Sequence, residues 1–344
     1  MKLRMTRWLV GLSALVALVA TMTGAAAAQT TTTFSGRAFA AFVNTSLTGP
    51  LTISDTGELP AEGGVQSAAL LDTTALNQPA LDNVLRAQVL LASTSGASGK
   101  AQSSASLADV VVLPGQPAQL TASFLRTESD ATCAGTRGST EVAELTFGGQ
   151  RIEAPPGGFP ANTTVTILGV ATLVINEQTT VATGTHQEIR VNAIHLTVPG
   201  VAEVILSSSK SDIDCRAVTG PGPCHDFVTG GGWIDVPGGR ANFGFNAGFK
   251  DGSLTPSVHL NYIDHASGKK VTATSISSYE KTGSTSRRFA GGADINGQPG
   301  SYVIDVADNG EPGRNDLLAI GLSDGYKQSG LLQGGNVQLH NPCP

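Results

Sequence analysis

The chain is 344 residues long, carries 27 acidic against 21 basic residues for a formal charge of −6, and is only 14% charged. An acidic chain with so few Lys and Arg excludes nucleic acid and anionic lipid as expected partners, since both reward basic patches. Thr, Ser, Gly, Ala and Val stand where Glu, Lys and Leu would build helices, which favours pleated sheet.

At the start, Lys2, Arg4 and Arg7 precede an apolar run from Trp8 to about Ala20, and Ala26-Ala27-Ala28 precedes Gln29. Basic, apolar and A-x-A segments in that order make a secretory signal peptide over residues 1–28. The apolar run is short for a membrane span. At the other end, Gln338 to Pro344 shows no apolar tail and no basic stop signal. The expectation is a secreted or cell-envelope protein, cleaved near Ala28, with no membrane span thereafter. Cleavage removes three of the 21 basic residues and leaves all 27 acidic ones, a formal charge of −9.

Alternation of apolar and polar residues then recurs along the chain, bounded by Gly, Pro, Asn and Asp, which is the pattern of strands. Phe34 to Phe42 reads as the first strand, followed by Val84 to Leu91 and Ala105 to Val112. Between the first two, Thr74 to Leu85 is the best helical stretch, but Pro79 interrupts it, so one or two short helical turns are expected. Leu145 and Phe147 share a face before Gly148-Gly149, Val165 and Ile167 alternate with Thr, Ile189, Val191 and Ala193 alternate with polar neighbours, and Val201 to Ser207 closes the set.

Gly220-Pro221-Gly222-Pro223 is stiff punctuation. It sets a partition of residues 29–215, a linker at 216–223, and residues 224–344. In the last part, Phe227 to Val236, the Phe243 to Phe249 face, Val258 to Tyr262, Tyr302 to Val306 and Leu318 to Leu322 read as strands. Asp251-Gly252, Asn296-Gly297 and Asp324-Gly325 mark tight turns between them. The fold class is all-β: two antiparallel β-sandwich or barrel-like domains in tandem.

Four cysteines, Cys133, Cys215, Cys224 and Cys343, make two disulfides in an exported chain, with three connectivities open. Cys133–Cys215 with Cys224–Cys343 is favoured, because each bridge then closes within one part of the chain. Each closes a long loop, for which chain entropy gives ~4–5 kcal/mol. No C-x-x-C occurs, so a Cys-bound metal is not expected.

Several short motifs recur in an order that resembles the choice-of-anchor P family of exported bacterial proteins. The first part carries Ser35-Gly36-Arg37-Ala38, Leu145-Thr146-Phe147-Gly148-Gly149, Ile175-Asn176-Glu177-Gln178, Val191-Asn192-Ala193-Ile194-His195 and Ser211-Asp212-Ile213-Asp214-Cys215. The last part resembles the β-rich module that commonly follows that domain, through Phe227-Val228-Thr229-Gly230-Gly231-Gly232-Trp233-Ile234, Ala241-Asn242-Phe243-Gly244-Phe245, Asp308 to Gly313 and Gly334-Gly335-Asn336-Val337. The resemblance implies proteins that differ in how a surface holds them. It brings no catalytic residues and no cofactor.

The sharpest candidate site is the turn from Asp308 to Asp316. Asp308, Asn309, Glu311, Asn315 and Asp316 offer the oxygen ligands that calcium takes, although the spacing is not that of an EF-hand. The same residues are also ordinary turn formers. Asp264 and His265 are expected to diverge, with Asp264 opening a turn through Ala266-Ser267-Gly268. Ser207 to Lys210 with Lys281-Thr282-Gly283 matches penicillin-binding enzymes only superficially, since the strand context is wrong. Trp233 is expected in a core rather than as a sugar platform, and His195 as a satisfied structural side chain. No G-x-S-x-G, Walker loop, G-x-G-x-x-G or H-E-x-x-H occurs. The functional expectation is a non-enzymatic protein with a structural or binding role and an unknown extracellular or envelope partner. The alternatives are a module for a glycan or small ligand, and a hydrolase of unrecognised type.

Overall fold

Alternating small and apolar residues build the first ladders. The computed structural model describes residues 32–167, 169–215, 226–250 and 255–340. Residues 1–28, the linker 216–223, Cys224 and Cys343 lie outside them, as does Asp251-Gly252. The described chain is 69% strand and 4% helix, so the all-β expectation holds.

Among the described residues, thirteen strands precede Cys215. They are β1 (Thr33–Thr45), β2 (Gly49–Asp55), β3 (Gly64–Asp72), β4 (Leu85–Ala97), β5 (Lys100–Val112), β6 (Leu120–Thr132) and β7 (Gly135–Ala143). Short β8 (Thr146–Phe147) and β9 (Gln150–Arg151) follow, then β10 (Thr163–Ile167), β11 (Ala171–Thr183), β12 (His186–Val198) and β13 (Ala202–Asp214). The expected broken helix is a 3-10 turn at Thr73–Leu76 and a single α turn at Pro79–Asp82. Asp72 caps the first through the Thr74 and Ala75 amides, and proline opens the second, where its missing N–H costs nothing.

These strands form two antiparallel sheets in the orders β10-β11-β12-β13-β1-β2 and β3-β4-β5-β6-β8-β9, with β7 also on β6. They pack face to face as a sandwich. One end of its interior is aliphatic, with Leu85, Leu90, Leu107, Leu125, Leu173 and Leu206 in one cluster. The other end is made mostly of small side chains, Ala38, Ala92, Ala105, Ala101 and Ala131, with Ile213 beside the last two. Here hydroxyls bridge the sheets. Ser207 donates to the Ala105 carbonyl at 2.8 Å and Ser211 to the Ser129 carbonyl at 2.8 Å, while Ser103 donates to the Lys210 carbonyl at 2.6 Å. A Cβ on Gly36 would come within 2.3 Å of Thr94 Oγ1, so glycine is needed for the sheets to approach this closely. The Cys133–Cys215 disulfide ties β6 to β13 at this end, with Cα atoms 5.6 Å apart.

The alternation changes phase mid-strand. In β1, Gly36, Ala38 and Ala40 face inward, and then Ala41 and Val43 do. In β13, Val204 and Leu206 face inward, and then Ser207, Ser209 and Ser211 do. Asn176 and Ser207 take positive φ of 54° and 52° along this line. The register of β1 on β13 and of β13 on β12 is the same on both sides of this line, so the paired strands switch face together.

The remaining strands are β14 (Phe227–Val236), β15 (Gly239–Gly248), β16 (Ser257–Asp264), β17 (Lys269–Ala273), β18 (Ser278–Lys281), β19 (Ser286–Ile295), β20 (Gln298–Ala307), β21 (Leu317–Leu322) and β22 (Lys327–His340). They run β17-β16-β15-β14-β22-β21-β20-β19, and β17 pairs back onto β19. The sandwich-or-barrel alternative therefore resolves to a closed eight-stranded barrel, with β18 added on β19. A barrel of that size is just wide enough for side chains to fill. Phe243, Phe245, Phe289, Tyr262 and Tyr302 fill it. Gly230 leaves room for Phe245, since a Cβ there would meet its ring at 2.4 Å. Near one end Arg287, wholly buried, donates to Asp226 at 2.7 Å and to the Gly283 and Ser286 carbonyls. Tyr279 donates to the same Asp226 oxygen.

The described residues pack as one unit. The barrel wall lies against the outer face of β3 and β4. The cross-strand pair Gly231 and Gly244 makes this contact close: side chains there would meet Ser106 at 2.5 Å and Val89 at 3.2 Å. Trp233 points out of the barrel and meets Phe124 edge to face, with centroids 5.1 Å apart. It is neither a barrel-core residue nor an exposed platform, and it seals the junction with Val89, Ala108 and Ile263. His340 bridges the same junction, between Ser95 at 3.2 Å and Thr229 at 2.8 Å.

Candidate functional site

Strand β6 places Arg126, Glu128 and Asp130 on its outer face, because Thr127 and Ser129 are buried on the other. Strand β7 follows in a hairpin and adds Arg137, Ser139, Thr140 and Glu141. Across from them stand Glu311 to Arg314, before β21, and Gly335 and Gln338 of β22. Together these enclose a cleft of about 630 Å³ between sandwich and barrel. Lys100, Arg126, Arg137 and Arg314 face Glu128, Asp130, Glu141 and Glu311 around it.

The charges at its base are organised by hydrogen bonds. Arg126 pairs with Glu128. Asn336 Nδ2 donates to Glu311 at 2.5 Å and to Glu128 at 3.2 Å, so one amide holds both carboxylates. Glu141 accepts from the Gly335 amide at 2.7 Å. Lys100 pairs with Asp130 at 3.2 Å. Burial disfavours the charge on Glu128, but the Arg126 guanidinium outweighs it and holds the carboxyl below its ordinary range. Burial and then the Glu128 charge push the Glu311 carboxyl up. Two carboxyls sharing one amide are thus driven apart in acidity, a pattern that marks functional sites more often than plain surface.

The turn singled out from sequence forms the barrel side of this cleft. Asp316, fully buried, accepts the Asn309 amide at 2.7 Å and the Val337 amide at 2.8 Å. Burial nevertheless pushes its pKa up to about 6. Asp308 accepts the Gly310 and Leu339 amides. Asn309 donates through its side chain to the Asn315 carbonyl at 2.8 Å. These oxygens bind the loop to β22, and only Glu311 of the five turns toward Asn336 and Glu128. Gly313 packs where a Cβ would meet Asn336 Oδ1 at 2.3 Å, which fixes the turn against the cleft floor.

Other singled-out residues lie elsewhere. Asp264 opens its turn, accepting the Ala266 and Ser267 amides, while His265 meets Asn242 at 2.8 Å. Ser207 is buried between the sheets, and Lys210 points to the outside, 3.5 Å from Glu188. His195 Nδ1 meets Glu177 at 3.0 Å and its Nε2 faces Glu203 at 3.4 Å. The hydrogen bond to Glu177 raises its pKa against the effect of burial. Asn192 also donates to Glu177, so two of the quoted motifs meet in one polar patch on the outside of the sandwich. His186, Glu188 and Asp212 converge on the same sheet, with Lys210 beside them.

Further concavities lie away from this cleft. A groove of about 680 Å³ runs over β20, β21 and β22. An apolar notch of about 330 Å³, flanked by exposed Leu47 and Val201, lies at the aliphatic end of the sandwich. Among the described residues no helix is long and apolar enough to cross a membrane.

The residues missed in the sequence are those of the β6–β7 hairpin. A signal was present: three charges at alternate positions, Arg126, Glu128 and Asp130, in a chain poor in charge. No protein-family profile matches the chain, and no curated protein does. Among solved structures it is similar to a candidate AttH protein from Nitrosomonas europaea, at 8% identity and a TM-score of 0.23, over 90% of this chain and 93% of that one. A likeness that slight carries no argument.

Proposed function

We propose that the protein works outside the cytoplasm as a binding protein, and that the cleft between sandwich and barrel takes a polar, glycan-type ligand. One observation carries this reading: a cleft of about 630 Å³ whose walls come from both sheet systems and whose lining mixes cations, carboxylates and hydroxyls. Sugar hydroxyls both donate and accept, so a lining with both kinds of partner suits them. The barrel interior is filled by aromatic rings, which leaves no place there for a small apolar molecule. The opening order of basic, apolar and Ala-rich residues supports export. The disulfide between residues 82 apart supports an oxidising compartment.

A second reading, hydrolysis of a glycosidic bond, is favoured by Glu128 and Glu311. They are held by one amide at 3.2 and 2.5 Å and driven apart in acidity. Glycosidases use a carboxyl pair, one protonated and one ionised. Native gels cast with dextran, laminarin, xylan or polygalacturonate test both readings. Retarded migration in at least one gel, without release of reducing ends, is the outcome for a binding protein. Release of reducing ends that stops in Glu311→Gln is the outcome for a hydrolase. Unretarded migration in every gel contradicts both.

A further inference from the structure

The charges around the cleft are equal in number, but two of its four cations sit outside any ion pair among the described residues. Arg137 lies opposite Asp130 in the β6–β7 ladder, the natural place for a cross-strand pair. Asp130, however, is engaged by Lys100 at 3.2 Å and by Gln102 at 2.9 Å. On the barrel side, Arg314 follows a turn whose acids are engaged as well. Asp308 and Asp316 accept backbone amides, and Glu311 accepts from Asn336. Among the described residues no carboxylate lies within 4 Å of either guanidinium, and both side chains are exposed at the cleft. In a chain with six more acids than bases, two unpaired arginines in one cleft, one on each wall, run against the overall charge.

A guanidinium presents a fork of N–H donors matched to a carboxylate, sulfate or phosphate. Ser139, Thr140 and Gln338 beside the two arginines offer neutral partners suited to hydroxyls. Resting on the glycan-binding reading above, we infer that the ligand of this cleft is an acidic glycan, whose carboxylate groups bridge Arg137 and Arg314 while its hydroxyls meet the polar side chains between them. Neutral glycans lack the groups that these arginines are placed to receive.

Titration calorimetry of the whole chain with polygalacturonate, and separately with dextran, tests this. Polygalacturonate binds, and more weakly as salt rises. Arg137→Gln and Arg314→Gln each weaken it by about tenfold, and Arg314→Lys restores only part of the loss because it keeps charge without the fork. Arg288→Gln, which breaks a surface pair with Asp305 on the barrel, leaves binding unchanged. Both cleft arginines are exposed and unpaired, so the variants melt as the parent does. Dextran bound as tightly as polygalacturonate would overturn the inference and leave the binding reading standing, as would a double variant that binds polygalacturonate normally. Binding of neither polymer would overturn the inference, and the binding reading falls with it only if laminarin and xylan gels also leave the chain unretarded.

Discussion

The barrel and the sandwich fill their interiors by opposite means. The barrel encloses a round space with large rings, and it holds a buried ion pair near one end. The sandwich brings two sheets close, with alanines and hydroxyls at its disulfide end and leucines at the other. Few large side chains carry the first, whereas many small contacts share the second. The cleft lies where the two meet, and it is built from surfaces that neither interior needs.

The largest test of this contrast is Phe245→Ala. Phe245 is fully buried against Phe243 and Phe289, with Gly230 beneath it. Its loss is expected to cost about 3–5 kcal/mol in urea unfolding. Asp226→Ala leaves Arg287 buried with no acid, and about 3–5 kcal/mol is expected there as well. Replacing Arg287 by Met in the same chain should recover much of that loss, since an apolar pair needs no partner. If Asp226→Ala alone is neutral, the barrel is not held at this end by the ion pair.

A smaller effect depends on pH. Burial holds His340 down at about 4, below its ordinary 6.5. The unfolded chain therefore takes up a proton first as pH falls below 6.5, and stability declines until about pH 4. Burial raises Asp316 to about 6, so in the same window the folded chain binds its proton first and stability gains as pH falls. The two oppose each other. His340→Gln should remove the acid loss, and Asp316→Asn should steepen it, in melting curves taken between pH 4 and 7. The smallest effect is expected in the hydroxyl seam: Ser211→Ala should cost about 1–3 kcal/mol, because Ser103 keeps Thr94 and the Lys210 carbonyl while the buried Ser129 hydroxyl loses its partner. A loss as large as that at Phe245 would mean that the two interiors do not differ as described.

Much of this architecture was legible in the sequence. Phe34 to Phe42 falls inside β1, Val84 to Leu91 overlaps β4 from Leu85 onward, Pro79 divides two short helical turns, and Asn296-Gly297 joins β19 to β20. Closure of the barrel was not legible, because it depends on β17 meeting β19, and pattern along a strand does not state its distant neighbour. The phase changes at Ala40–Ala41 and at Leu206–Ser207 were hidden for a related reason. A run of small residues reads the same in either phase, and only the facing sheet decides which side is inside. At the site, the turn from Asp308 to Asp316 was visible as a cluster of oxygens. Its amide partners on β22 and the opposing β6–β7 hairpin were not, since residues 126 and 311 meet only in the folded chain.

The claim that most needs testing is that the cleft, rather than the barrel surface, receives the ligand. Hydrogen exchange of the whole chain, followed by mass spectrometry with and without polygalacturonate, addresses it directly. The account predicts slowed exchange in residues 126–141 and 311–316 together, with β20 and β21 unchanged. Slowing confined to the groove over β20, β21 and β22, or no slowing at either wall of the cleft, would contradict it.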